Sequence, residues 1–331
     1  MLDWRADDAL RAALARGLDA PAGAEAGRLA ELLARDFDPA AVALVHYGSH
    51  THAARATAES AWDFFVVVDE YPAAYRALAA ARPGHVPLRR AAALNRLLPP
   101  NVIAVSTSPP APSMTAKCCV LSLADLEAAC SARPRDHFTR ARLFQPVQLV
   151  WARDSAGAAA VTDAILGARA GTFDWARPFL SRRFDAALYA RTLLEVSYRA
   201  EIRPEDDRRV DILLATQSAT LLPICDALLA ALADRGVLAR ETGGFRDPAR
   251  PGPLARFLAR RWFGWSKIRA TLRWVKYVAL YDDWLDYVVN KVERRSGRKL
   301  DLTPRERRWP LLFLWPKALR FLGTRPQRRR G

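Results

Sequence analysis

Cysteine is scarce: the 331 residues contain four, Cys118, Cys119, Cys130 and Cys225. An adjacent pair with a third eleven residues on matches no zinc-ligand spacing, and four in a chain this long make no disulfide framework. They read as small buried apolar side chains in a reducing compartment. Long apolar runs are missing too. No stretch reaches 18 residues, and the best block, Trp309 to Pro316, is eight long, too short to span a bilayer. The opening residues, Met1 to Leu14, carry Asp3, Asp7 and Asp8 and no uninterrupted apolar core, so a secretory signal is not expected. These absences predict an intracellular chain that is not integral to a membrane.

Acidic residues are short in one region only. Residues 254–331 hold 21 Lys and Arg against six Asp and Glu, while the whole chain carries 51 against 35, a net charge of +16. The first 253 residues are therefore almost neutral. Six of the ten Trp (Trp262, Trp265, Trp274, Trp284, Trp309 and Trp315) share the basic stretch. Such an end suits a polyanionic partner, either a nucleic acid or an anionic membrane. Apolar residues at 51% supply ample core, which excludes a disordered chain, a collagen-like repeat and a disulfide scaffold. At roughly 150 residues per domain the length predicts about two domains.

The pattern along the chain divides it further. Residues 1–35 read as a helical segment broken around Pro21-Ala22-Gly23. Residues 36–152 alternate short strands with helices: Ala41–Tyr47, Ala61–Asp69, Val102–Ser106, Lys117–Leu121 and Pro146–Trp151 are the expected strands. Between them, 73–98 is helical with a break at Pro83-Gly84, and a helix starts on Ser122. Residues 153–240 are mainly helical with a polar interruption at Glu201 to Arg209, and 239–253 looks most like a linker. In the basic region 254–331, Trp274, Val278, Tyr281, Leu285, Val288 and Val292 recur on one helical face, a stripe best explained by packing. No internal repeat is evident. The expected fold class is α/β (α+β), with a mixed sheet followed by helical regions.

The chemistry-bearing pattern is a strand ending on Gly48-Ser49, a 13-residue gap, and Asp63 in the next strand. A Gly-Ser turn lets backbone and hydroxyl donors approach a triphosphate closely. A carboxylate on the adjoining strand can hold Mg²⁺ against the same phosphates. Nucleotidyltransferases usually place two carboxylates at alternate positions on one strand face. Here the second position is Phe65, and Asp69 lies about 20 Å along the strand, too far to share the ion. Ser49 as a simple helix cap and Lys117 as an ordinary surface lysine are the plain alternatives. His46, His50 and His52 flank the turn, but without Cys or acids at ligand spacing they do not predict zinc.

These residues resemble the phosphatidate cytidylyltransferases of the mitochondrial translocator assembly and maintenance protein family, as a divergent bacterial member. That family shows a Tyr-Gly-Ser turn and a single Asp opening a strand; here they are Tyr47-Gly48-Ser49 and Asp63-Phe64-Phe65-Val66-Val67-Val68-Asp69. Lys117-Cys118-Cys119-Val120-Leu121-Ser122, Leu126 with Ala141-Arg142-Leu143-Phe144-Gln145-Pro146-Val147, and Val196-Ser197-Tyr198-Arg199-Ala200-Glu201-Ile202-Arg203 echo later family motifs in the same order, over roughly residues 40–235. The chain departs from the pattern at Tyr75–Ala79 and Pro100–Val105, and carries Glu201 where the family has Asp.

The resemblance implies a nucleotidyltransferase-like domain, a helical winged-helix-like domain and a basic helical C-terminal extension. The implied reaction transfers CMP from CTP to phosphatidate with release of pyrophosphate, using Mg²⁺. In it Gly48 and Ser49 hold the CTP phosphates, Asp63 binds Mg²⁺, Lys117 neutralises the triphosphate, and Glu201 and Arg203 complete the metal or phosphate shell. The tail, Trp309 to Gly323 and then Arg328 to Arg330, has Trp at both ends of its apolar block and basic residues around it, which suits contact with an anionic membrane. The expected location is cytoplasmic, peripheral on the inner face of the cell membrane. No recognised nucleic-acid motif accompanies the basic end, so nucleic acid is not the expected partner. Two other readings stand beside this one: a nucleotidyltransferase acting on RNA, protein or another lipid phosphate, and a degenerate, non-catalytic binding protein of the same fold.

Overall fold

Two runs rich in β-branched and aromatic residues form the centre of the molecule. In the computed structural model, which describes residues 3–51, 61–107, 114–199, 207–280, 289, 293, 301–308 and 313, they are β1 (Ala41–Tyr47) and β2 (Trp62–Val68). With β3 (Asn101–Ser106), β4 (Thr115–Ser122) and β5 (Val147–Ala152) they make a five-stranded sheet of order β3-β4-β2-β1-β5. All five correspond to the strands expected from the sequence. The sheet is mixed: β1 runs antiparallel to β2 and β5, β3 antiparallel to β4, and β2 parallel to β4. Strand β1 is buried along its whole length, because a neighbour on each side and helices on both faces leave it no contact with water.

Alternation of side chains assigns each strand residue to a face. Val45, Tyr47, Phe65, Val67, Cys119 and Leu121 share a core with α1 (Asp8–Leu14) and α7 (Ser155–Ala170). The opposite face meets α3 (Tyr71–Ala81) and α4 (Leu88–Leu97), which flank the predicted break at Pro83-Gly84. There a buried polar network ties helices to strand. Asn101 donates to Tyr75 Oη at 2.7 Å and to the Ala91 carbonyl, while Asn95 donates to Tyr75 Oη and the Val120 carbonyl. Helix α5 (Leu123–Cys130) starts where expected, with Ser122 Oγ accepting from the Asp125 N–H.

The helical part follows. α8 (Thr172–Ala176), α9 (Ala186–Arg199) and α10 (Asp207–Asp234) enclose a second core that contains Trp175, Tyr189, Leu193, Leu228 and Phe245. The segment Val210–Asp234, of mean hydropathy 1.6, is long and apolar enough to cross a membrane by length and composition. Its Leu213, Leu221, Cys225, Leu228, Leu229 and Leu232 are core residues, and Gln217 donates to Gln145 Oε1 at 3.1 Å. Those contacts make it a core helix of this fold.

The stretch 239–253, expected as a linker, contains a hairpin. Strands β7 (Ala239–Glu241) and β8 (Gly244–Arg246) turn at Gly243, whose φ of 83° favours glycine, and β8 pairs with β6 (Arg183–Phe184). Asp247, buried just after β8, accepts two hydrogen bonds from Arg177 at 2.7 Å. These non-local pairs hold a segment whose own composition reads as a connector.

The chain divides into two compact units, Met1–Lys276 and Tyr277–Gly331. Helix α11 (Pro253–Leu280) belongs to the first as far as Lys276. In the second, Pro304–Arg308 is a short helix with reciprocal capping: Thr303 Oγ1 accepts from the Glu306 N–H, and Glu306 Oε2 from the Thr303 N–H. Of the expected stripe, Tyr281, Leu285, Val288 and Val292 lie outside the described residues, as does all of Trp309 to Gly323 except Phe313, and Arg328 to Arg330.

Candidate functional site

The strand pairings decide which residues meet. Because β1 ends where the antiparallel β2 begins, Tyr47 stands opposite Asp63, and Gly48 and Ser49 emerge at the same edge of the sheet. Strand β4 runs parallel to β2, so its Lys117 stands opposite Asp63 from the other side. Lys117 Nζ lies 3.8 Å from Asp63 Oδ1. Four residues separated by 69 positions in the chain thus share one sheet edge: Gly48, Ser49, Asp63 and Lys117.

Gly48 sits at φ 91°, and a β-carbon there would stand 2.7 Å from Asp63 Oδ2. Only glycine permits both that backbone conformation and that approach. Ser49 opens a single 3₁₀ turn, Ser49–Thr51. The turn is tied down by Thr51 Oγ1, which donates to the Gly48 carbonyl at 2.8 Å and reaches the Pro146 carbonyl at 3.3 Å. The Asp63 carboxylate is 25% exposed and the Lys117 side chain 54%, so both are open to a ligand from solvent.

The surroundings of the edge are set by burial. Tyr47 Oη and Cys119 Sγ are hydrogen-bonded at 3.1 Å beneath it, and burial pushes both groups up from their ordinary values. Neither ionises near neutral pH, so neither competes with Asp63 for positive charge. Arg142 opposes both shifts through its charge. Arg142 lies on α6 (Arg140–Leu143), where it donates to the Phe138 carbonyl at 2.6 Å and stands over the Phe138 ring.

The flanking histidines are held by aromatic contacts. His46 points to the face opposite Asp63, its Nδ1–H donates to Gln148 Oε1 at 3.0 Å, and burial lowers its pKa. His50 stacks on Trp62 with ring centroids 3.8 Å apart. His52, Glu201 and Arg203 lie outside the described residues, and no three His, Cys, Asp or Glu side chains among the described residues cluster as ligands of one ion.

No protein-family model matches the chain, and no curated protein matches it either. Function therefore rests on the residues and their geometry.

Asp69 closes the far end of β2, where Arg153 forks onto it at 2.5 and 3.2 Å. It is removed from the Gly48 edge, as its spacing required. The two stretches that depart from the family pattern supply Tyr75 and Asn101 to the buried network. Asn101 pairs with Val120, while Lys117 pairs with Ala104, so that network lies toward the other end of β4.

Proposed function

We propose that this chain is a Mg²⁺-dependent nucleotidyltransferase that moves CMP from CTP onto phosphatidate, forming CDP-diacylglycerol and pyrophosphate on an anionic membrane surface. The observation that carries the proposal is the packing of the side-chain-free Gly48 against the Asp63 carboxylate, with Lys117 on its other flank. On this reading the five-stranded sheet belongs to a nucleotidyltransferase-like domain, and α9, α10 and the three-stranded sheet form a winged-helix-like one. The protein is cytoplasmic and peripheral on the inner face of the cell membrane.

The residues present fit a magnesium ion. Mg²⁺ takes one or two carboxylates and fills its remaining positions with water and substrate phosphates. Asp63 offers one partly exposed carboxylate beside an open turn, and the sequence supplies Glu201 as a second candidate. Bound there, the ion would neutralise charge developing on the phosphates.

The protein's own groups do the rest. Gly48 and Ser49 let main-chain and hydroxyl donors reach the triphosphate, and Lys117 supplies a cation next to it, with Arg203 assigned to the same task from the sequence. A phosphatidate oxygen attacks the α-phosphorus of CTP. The bond from that phosphorus to the bridging oxygen breaks, and pyrophosphate leaves with the electron pair. Because a phosphate monoester is already anionic near neutral pH, no strong base is needed. Positioning and electrostatic stabilisation then supply most of the rate.

The test incubates the protein with Mg²⁺, labelled CTP and phosphatidate vesicles and looks for labelled CDP-diacylglycerol. Asp63→Ala should lower turnover by at least about 100-fold. No product, or equal turnover by the variant, would defeat the proposal; label appearing on RNA or protein instead would move it to another acceptor.

A further inference from the structure

Helix α11 (Pro253–Leu280) presents two faces of opposite kind. Its inner face is bonded to the body. Phe263 packs edge-on against His137 and Phe179, with ring centroids 5.0 and 5.4 Å apart, and Ser266 Oγ accepts from the His137 N–H at 2.9 Å. Arg269 Nε and Arg273 Nη2 both donate to Asp136 Oδ2 at 2.9 Å. Lys276 Nζ donates to the carbonyls of Leu98 and Pro100. These bonds fix the rotation of the helix about its axis.

That rotation turns Leu254, Phe257, Leu258, Trp265, Ile268 and Leu272 outward. Their spacing follows one helical face, and exposure runs from 47% at Leu272 to 71% at Leu254. Nine large apolar residues are exposed among the described residues, and six of them are here. One exposed leucine is ordinary; a contiguous stripe of this size marks a contact surface.

Charge identifies the occupant. Residues 253–280 contain Arg256, Arg260, Arg261, Lys267, Arg269, Arg273 and Lys276 and no Asp or Glu. Arg269, Arg273 and Lys276 turn inward. Helical spacing places Arg256, Lys267 and Arg260 together on the face next to the stripe, on one side of it, and Arg261 within it, its guanidinium 5.9 Å from the Phe257 ring. No ion pair joins these four to another described residue. A second copy of the helix would set like charges against each other, and four of the six stripe residues, Leu254, Leu258, Ile268 and Leu272, are aliphatic and give nucleic-acid bases nothing to stack on.

We infer that the outer face of α11 is a docking surface for anionic lipid. The stripe enters the boundary between headgroups and acyl chains, and the bordering Arg and Lys meet lipid phosphates. The inference rests on the lipid-phosphate reading above and deepens it. It assigns the membrane contact to a helix fixed to the body of the protein, in addition to any contact made by the tail.

The experiment uses the full chain in vesicle sedimentation, with phosphatidylcholine alone and with phosphatidylcholine containing phosphatidylglycerol. Binding should require the anionic lipid and weaken with salt. Trp265→Ala with Ile268→Ala should lower affinity by at least about tenfold with the thermal melt unchanged, since both side chains are exposed. Arg260→Glu with Lys267→Glu should weaken binding and reduce its salt dependence. Wild-type affinity in either double variant, or equal binding to uncharged vesicles, overturns the inference. So does a wild-type dimer that the Trp265 and Ile268 changes convert to monomer, because the stripe would then be a self-interface. The two proposals separate cleanly. A wild-type chain that binds anionic vesicles but transfers no label to phosphatidate keeps the docking surface and removes the transferase. Transfer to a dispersed short-chain phosphatidate without vesicle binding does the reverse.

Discussion

A β-carbon on Gly48 would stand 2.7 Å from Asp63 Oδ2, closer than non-bonded carbon and oxygen approach. Gly48→Ala must therefore displace either the turn or the carboxylate. The φ of 91° adds backbone strain of about 1–3 kcal/mol. The expected variant is folded, melts lower than wild type, and transfers nucleotide at a small fraction of the wild-type rate. Thermal melting and the CTP assay on one preparation check this; an unchanged rate would detach the turn from the chemistry.

Lys117 can be separated from Asp63. Its side chain is more than half exposed, so Lys117→Met should leave the melt within about 0.5 kcal/mol of wild type. If Lys117 meets the triphosphate, turnover falls by about 100-fold and Lys117→Arg restores part of it. A Met variant as fast as wild type would make Lys117 a surface lysine.

Asp69 is the matched control on the same strand. Its pairing with Arg153 is largely exposed, and such pairs contribute about 0–1 kcal/mol. Asp69→Ala should leave turnover unchanged while Asp63→Ala abolishes it. Equal losses in the two variants would point to damage to β2 instead of a site at one end.

Stability should fall on acidification because of a buried histidine. Arg140 Nε donates to His137 Nδ1 at 3.2 Å, so the ring proton sits on Nε2, which donates to Ser197 Oγ at 2.9 Å. Burial holds the His137 pKa well below its ordinary 6.5, helped by the charges of Arg140 and Arg142. Between the folded value and 6.5 the unfolded chain carries the extra proton. Stability is then full above pH 6.5 and falls as the pH drops, by up to about 1.4 kcal/mol per pH unit for this group. Urea titrations from pH 8 to pH 5 should show the slope, and His137→Phe should flatten it; His46, lowered by the same cause, leaves a residual slope. An identical slope in the variant would assign the loss elsewhere.

Asp136 holds α11 in place. Burial alone would raise its pKa, but Arg273 and Arg269 outweigh burial and keep it below 3.8. Arg273 is 5% exposed, so Asp136→Ala strands a buried guanidinium and should cost about 3–5 kcal/mol. Asp136→Ala with Arg273→Met should recover part of that loss. A double variant no better than the single one would show that the pair does not act as a unit.

The strands were legible because buried strands need runs such as Ala41–Tyr47 and Phe64–Val68, which few other elements use. The Gly-Ser turn and its partner Asp63 were legible because close approach of a backbone to a carboxylate restricts the residue types. The hairpin at 239–246 was not. It is held by Phe184 and Arg177, some 60 to 70 residues away, and its Gly- and Arg-rich composition matches a connector locally.

The amino-acid sequence by itself determined the five strands of the main sheet, the placing of the excess positive charge after residue 253, and the candidate residues Gly48, Ser49 and Asp63, because local patterning and residue chemistry suffice for these. Tertiary structure alone decided that Asp63 stands between Tyr47 and Lys117, which depends on one antiparallel and one parallel pairing. It also decided which face of α11 meets solvent. Periodicity shows that a helix has an apolar stripe, but only the bonds to Asp136, His137 and the carbonyls near Pro100 turn that stripe outward.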